Sequence, residues 1–294
     1  MTAESPLRLE SLGKRFGGVA ALDGVTLDLA SGSVTGLLGR NAAGKSTLIR
    51  CAVGLLRPTS GRAAVFGQEA WSLDADAKAR LGYVPQDIHL YSWMRVGQLF
   101  EFTAAFYPRW NERLVADLLR EWEVPTDRRI RGLSPGTLQK LAIVLALAHE
   151  PELLVLDEPA AALDPAARRQ FLAALLDVAS DARRTILFST HITSDLERVA
   201  DRVILLNEGR VTFHGGLDEL KEGVKRLHVT SDTPLAADFD LPGRLRRRVA
   251  GREALVSVRG ISPGLVEEVR RDFGASVRVE DLSLEDIFLE MQDA

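Results

Sequence analysis

A chain of 294 residues, 46% hydrophobic and 27% charged, is long enough for one large domain plus an appendage, and this composition excludes the disordered, collagenous and disulfide-stapled classes. Lys and Arg number 37 against 41 acids, a net charge of -4 that argues against a general polyanion binder, so no nucleic-acid partner is expected. The single Cys51 excludes an intrachain disulfide and fits a reducing compartment.

The longest uninterrupted apolar run, Leu141 to Ala148, is eight residues, far below the roughly 20 that span a bilayer as a helix. The opening Met1-Thr2-Ala3-Glu4-Ser5-Pro6 has an acid and a proline where a secretory signal needs basic and then apolar residues. A cytoplasmic location is expected.

Short β-rich segments alternate with helical ones through about residue 225, the pattern of an α/β fold around a mainly parallel sheet. Val34 to Leu38 is strand-like and enters a glycine-rich turn. Ser46 to Leu56 then has helical spacing, closed by the breakers Arg57-Pro58-Thr59-Ser60-Gly61. Leu90 to about Glu150 has little strand character and helical periodicity in Val96 to Phe106 and Glu112 to Trp122, so it reads as a helical insertion. Leu153 to Leu156 and Thr185 to Phe188 are brief, apolar and flanked by polar residues, as buried parallel strands are.

Composition shifts near residue 225, where lysine ends and every later basic residue is arginine. The boundary is set between domains 1–225 and 226–294, the second a small α/β unit. In it Ala254 to Val258 alternates like a strand, Ser262-Pro263 suggests the start of a helix over Gly264 to Phe273, and Ser283-Leu284-Glu285-Asp286 opens a last helix in capping-box style. The Arg244 to Arg248 run reads as a solvated loop, with contact to an anionic lipid or nucleic acid as the alternative.

Chemistry concentrates in a few places. Gly39-Arg40-Asn41-Ala42-Ala43-Gly44-Lys45-Ser46-Thr47 fits a phosphate loop between a strand and a helix. Backbone N–H groups there wrap an anion at a helix N-terminus, Lys45 reaches the β- and γ-phosphates and Ser46 ligates magnesium. Leu153-Leu154-Val155-Leu156-Asp157-Glu158 delivers two adjacent carboxylates to a strand end. Asp157 suits the Mg2+ shell, and Glu158 suits general-base work on an attacking water. His191 follows the Thr185 strand, and Gln86 follows Gly82-Tyr83-Val84-Pro85. Neither is remarkable alone.

In this order and spacing, over about residues 7 to 220, the motifs resemble the ATP-binding subunit of an ABC transporter. The resemblance implies a P-loop NTPase of ABC type, with a mainly parallel core sheet, an antiparallel β part, a helical subdomain and the C-terminal α/β extension. It makes Gly39 to Thr47 the Walker A loop, Gln86 the Q-loop residue and a metal contact, and Leu133 to Gln139 the signature region. Leu153 to Glu158 becomes Walker B, Asp164 falls in the D-loop, and His191 is the switch histidine. Phe16 sits where the family sets an aromatic ring against adenine, a core or hairpin phenylalanine being the alternative.

The family pairs two nucleotide-binding units head to tail around ATP and Mg2+, so a homodimer or a paralogue partner is implied. Ser134 can N-cap a helix starting near Gly136 and point its hydroxyl, with the Gly136 N–H, at a phosphate arriving from the other unit.

Three departures stand out. Leu133-Ser134-Pro135-Gly136-Thr137 replaces Leu-Ser-Gly-Gly-Gln, and Pro135 removes one N–H donor. Ala42 replaces a glycine, and Arg40 replaces a common proline. A competent, slowed ATPase is expected.

Ser283-Leu284-Glu285-Asp286-Ile287-Phe288-Leu289 resembles the ending of bacterial export-type subunits, whose permease is a separate membrane chain, and the segments Phe106 to Trp110 and Phe188 to Glu197 strengthen that resemblance. This chain would then lie on the inner face of the membrane through that permease, docked by the helical insertion and the segment after Gln86. The cargo class implied is a drug, peptide, lipid or polymer. The alternative is a soluble ABC ATPase or a nucleotide-gated regulator outside transport.

Overall fold

The computed structural model describes residues 5–261 and 264–292. The chain divides into two compact units, Met1–His214 and Gly215–Ala294. No helix among the described residues is long and apolar enough to cross a membrane.

The first unit opens with β1 (Leu7–Phe16) and β2 (Val19–Asp28), an antiparallel pair, followed by β3 (Val34–Leu38), α1 (Lys45–Ala52), β4 (Ser60–Val65) and the short β5 (Gln68–Glu69). Next come α2 (Ala75–Ala79), β6 (Leu81–Val84), α3 (Val96–Ala104), α4 (Glu112–Glu121) and α5 (Pro135–Leu147). The remainder is β7 (Leu153–Leu156), α6 (Pro165–Ala179), β8 (Thr185–Thr190), α7 (Thr193–Val199), β9 (Arg202–Asn207) and β10 (Arg210–Gly216).

One sheet has the order β2-β1-β4-β5 and the other β10-β9-β3-β8-β7-β6. In the second, β9, β3, β8, β7 and β6 pair in parallel. Strands β3, β7 and β8 are buried at every position, which explains why apolar residues predominate in them without alternating: both faces are covered. The fold is the mixed-sheet P-loop architecture that the sequence implied.

The segment from Leu90 to Glu150 carries helices and no strand, in keeping with its periodicity. Asn111 caps α4, its side chain accepting from the Leu114 N–H at 2.9 Å, and the helix buries Val115, Leu118 and Leu119 on one stripe. Helix α1 ends earlier than its periodicity suggests, because Gly54 turns left-handed at φ 75° after a cap at Val53.

The second unit holds α8 (Leu217–Gly223), β11 (Val224–Ser231), β12 (Arg244–Ala250), β13 (Glu253–Arg259), α9 (Leu265–Phe273), β14 (Ala275–Asp281) and α10 (Leu284–Gln292). Its sheet order is β12-β13-β11-β14, with a core including Leu227, Val229, Val256, Leu265 and Val269. Ser283 opens α10, its Oγ accepting from the Asp286 N–H at 3.1 Å. The expected cap at Ser262-Pro263 lies outside the described residues.

The Arg244 to Arg248 run is not a solvated loop. It forms β12, paired antiparallel with β13. Leu245, Arg247 and Val249 supply a half-buried face, and Arg247 donates to the carbonyls of Asp238 and Phe239, each at 2.8 Å, while Arg244, Arg246 and Arg248 face outward. A strand satisfies the backbone of this run through its neighbour and leaves alternate guanidinium groups in water.

Candidate active site

Strands β3, β8, β7 and β6 lie side by side and run parallel, so their C-terminal ends share one sheet edge, where ligands of such sheets bind. Gly39 leaves β3 there, His191 leaves β8, Asp157 and Glu158 leave β7, and Gln86 follows β6. Each apolar run ends where its polar group begins. Sheet order therefore gathers residues far apart in sequence.

The loop from Gly39 to Ser46 joins β3 to α1. Gly44 caps the helix at φ 105°, and a Cβ there would lie 2.6 Å from the Ala21 carbonyl oxygen, so both conformation and space require glycine. No acid sits in the first turn of α1, leaving its N–H groups and dipole available to an anion. Arg40, Asn41 and Ala42 are exposed on the rim, Ala43 is buried and donates to the Arg40 carbonyl at 3.1 Å, and Thr47 is half-buried.

Ala42 has φ 66°. A left-handed L-residue costs about 1 to 2 kcal/mol. Ala42→Gly is therefore expected to raise stability by about 1 kcal/mol after its extra unfolded-state freedom is subtracted. Urea unfolding reads this directly, and an unchanged midpoint would show that the loop carries no strain there.

Lys45 is 6% exposed and turns inward. Its Nζ donates to the carbonyls of Gly39 at 2.8 Å and Arg40 at 3.2 Å, and lies 3.3 Å from Oε1 of Glu158. The other Glu158 oxygen is 2.8 Å from His191 Nδ1. Glu158 is 8% exposed and has φ 49°, so the chain kinks at the end of β7 and turns this carboxylate toward both Lys45 and His191. Ser46 Oγ donates to Gln86 Oε1 at 3.2 Å.

Asp157 is fully buried. Its Oδ1 accepts from Ser189 Oγ at 2.7 Å, and that same Oγ accepts from the Glu158 N–H at 2.8 Å. Oδ2 of Asp157 has no protein partner. The sequence reading assigned nothing to Ser189, although a serine directly after the apolar residues Ile186 to Phe188 of a buried strand is a visible signal of a polar neighbour.

Four expected site residues sit at other element ends. Phe16 ends β1, about half exposed, with Lys14 Nζ 5.1 Å from its ring centroid, so it is a surface ring and not a core one. Ser134 caps α5, which starts one residue earlier than expected with Pro135 as its first residue; the Ser134 Oγ accepts from the Thr137 N–H at 3.2 Å. A Cβ on Gly136 would lie 3.0 Å from the Ala162 carbonyl oxygen, so this helix start admits little beyond glycine. Asp164 caps α6, and the Ala167 and Ala166 N–H groups hold its carboxyl below the usual range.

A phosphate cradle beside a carboxylate, a lysine and a histidine on one edge of a parallel sheet defines a P-loop nucleotide hydrolase. The comparisons agree. The family model described as ABC transporter matches residues 22–161. An uncharacterised ABC transporter ATP-binding protein of Nostoc sp. is 31% identical over 89% of this chain and 77% of its own length. The methionine import ATP-binding protein MetN of Brucella abortus is 38% identical over 73% of this chain and 60% of its own. Among solved structures, an ATP-binding subunit of an ABC transporter superposes with a TM-score of 0.69 at 30% identity, over 74% of this chain and 92% of that one. The chain belongs to the ABC transporter ATP-binding proteins, and its activity is that of an ATPase.

Proposed function

We propose that this chain is the ATP-driven half of a transporter whose pathway is a separate membrane permease. Two copies, or one copy and a paralogue, close head to tail around ATP at the inner face of the membrane. The observation that carries the reading is the convergence of Lys45, Glu158 and His191 beside the loop that opens α1.

In this reading Lys45 turns from Glu158 to the phosphates and Glu158 accepts the proton of the attacking water. His191 holds the second oxygen of that carboxylate, and the exposed ring of Phe16 meets the adenine. The Ser134 hydroxyl and Gly136 N–H of one copy face the γ-phosphate held by the other, and Asp164 stands beside that junction. Pro135, lacking an N–H, leaves one donor fewer there and slows turnover.

Ser46, Gln86 and Asp157 would hold Mg2+. All three offer oxygen, the donor this cation takes, and the buried Asp157 Oδ2 is otherwise an acceptor without a partner. When bound, the ion neutralises charge on the β- and γ-phosphates.

The permease docks on the helical segment. Tyr91, Trp93, Phe102 and Phe106 are 51%, 66%, 41% and 69% exposed. They form a connected patch, with Tyr91 5.6 Å from Phe102 and Phe102 5.2 Å from Phe106, both edge to face. Exposed aromatics in contact mark an interaction surface. Export rests on the resemblance of the Ser283–Leu289 ending, with the segments 106–110 and 188–197 beside it, and methionine import proteins stand among the relatives.

Changing both Trp93 and Phe106 to Ser is expected to reduce copurification with the permease at least about tenfold, the loss of two buried aromatic anchors, while nucleotide binding by the soluble chain is unchanged. A complex that survives the double change overturns this docking face, and a chain that copurifies with no membrane protein overturns the transporter reading.

A further inference from the structure

Strand β8 lies between β3 and β7, and Ser189 is its fifth residue, fully buried and paired with Leu37. Because Phe188 stands opposite Leu156, Ser189 is level with the first residue beyond β7, Asp157. Its hydroxyl is within hydrogen-bond reach of both carboxylate-bearing residues, 2.7 Å from Asp157 Oδ1 and 2.8 Å from the Glu158 nitrogen.

The direction of both bonds follows from chemistry. An amide N–H only donates, so Ser189 Oγ accepts from Glu158. With that lone pair engaged, the serine hydroxyl is left to donate its proton to Asp157 Oδ1. Two consequences follow for the two acids. With Oδ1 engaged, rotation of the Asp157 carboxylate is restrained, and the one oxygen left without a protein partner is Oδ2. With its amide anchored, Glu158 is held at φ 49°, a conformation that a non-glycine residue keeps only when its surroundings enforce it. That turn carries the Glu158 side chain to Lys45 and His191.

We propose that Ser189 is a positioning residue for both acids: one hydroxyl aims Asp157 Oδ2 at the magnesium of bound Mg-nucleotide and keeps Glu158 turned toward Lys45. This rests on the ATP- and magnesium-binding reading above. Ser189 touches neither nucleotide nor metal; it acts through Asp157, as partners of metal-ligating side chains do. Among the described residues no side chain of the protein forms an ion pair with Asp157, in contrast to Glu158 beside Lys45, so the carboxylate that Ser189 orients keeps an oxygen open to an external cation.

The test is fluorescence titration of the full chain with a mant-labelled ADP, once in excess EDTA and once at saturating Mg2+. The wild-type chain is expected to bind more tightly with Mg2+. Ser189→Ala is expected to bind in EDTA within about twofold of wild type yet to lose about tenfold or more of the gain from Mg2+, the usual effect of removing such a partner. Ser189→Thr keeps a hydroxyl and should restore the gain. Ser189→Cys keeps the volume with a weaker donor, should fall between, and reports in place of the alanine variant if that chain does not fold.

A full Mg2+ gain in both the alanine and cysteine variants overturns the proposal and leaves the metal reading standing. Equal weakening in EDTA and in Mg2+ makes Ser189 a packing residue and overturns it as well. No Mg2+ gain in the wild-type chain removes the metal reading, and the proposal falls with it.

Discussion

Glu158→Gln is expected to lower kcat for ATP by about 10²- to 10⁴-fold, the range that a positioned general base contributes. Glutamine keeps the volume of the side chain and an oxygen that can stay near His191, now 2.8 Å from the carboxylate. It cannot accept the proton of an attacking water. It also gives up the ionic partner of Lys45, presently 3.3 Å away, so the ammonium is freer to meet phosphate. Nucleotide affinity should therefore hold or rise while turnover collapses, and a dimer closed on ATP should accumulate. Phosphate release together with light scattering on a sizing column reads both halves. Turnover within tenfold of wild type would remove Glu158 as the base, and collapse without an ATP-dependent dimer would favour a nucleotide-gated regulator.

Lys45→Ala has a comparably large effect of a different kind. Removal of a charge-assisted donor to phosphate weakens Mg-nucleotide binding by about 1.5 to 3 kcal/mol, roughly 10- to 100-fold. The same change leaves Glu158, 8% exposed, without its ammonium partner. Uncompensated buried charge costs up to about 3 to 5 kcal/mol, a ceiling here because His191 still faces the other oxygen at 2.8 Å. The double variant with Glu158→Gln separates the effects. Urea unfolding should show stability recovering, while titration with labelled ADP shows affinity still low. If stability does not recover, the Lys45–Glu158 contact carries no net energy.

Much of the site was legible in the sequence because each part ends an apolar run. Leu153 to Leu156 could only be a buried strand, so Asp157 and Glu158 had to emerge at its end, and the same logic placed Gly39 and His191. Local pattern does not report which strands are neighbours, so the meeting of Lys45 with Glu158 was invisible, as was the role of Ser189, whose partners lie 31 and 32 positions away. The φ of 49° at Glu158 was equally hidden, since glutamate carries no signature of a left-handed backbone. In the second unit the arginines of β12 concealed a strand. Their charge reads as loop, and only pairing with β13 and the partly buried Leu245, Arg247 and Val249 reveal the alternation.

Position within the central sheet has a mechanical consequence. His191 and Asp157 continue β8 and β7, each paired on both sides, whereas Gln86 continues β6, paired with β7 alone at the sheet margin. Shifting His191 or Asp157 strains two ladders, and shifting Gln86 strains one. This sheet edge is therefore graded in compliance: stiff at Asp157 and His191, and softest on the arm from which the chain runs on to Trp93 and Phe106.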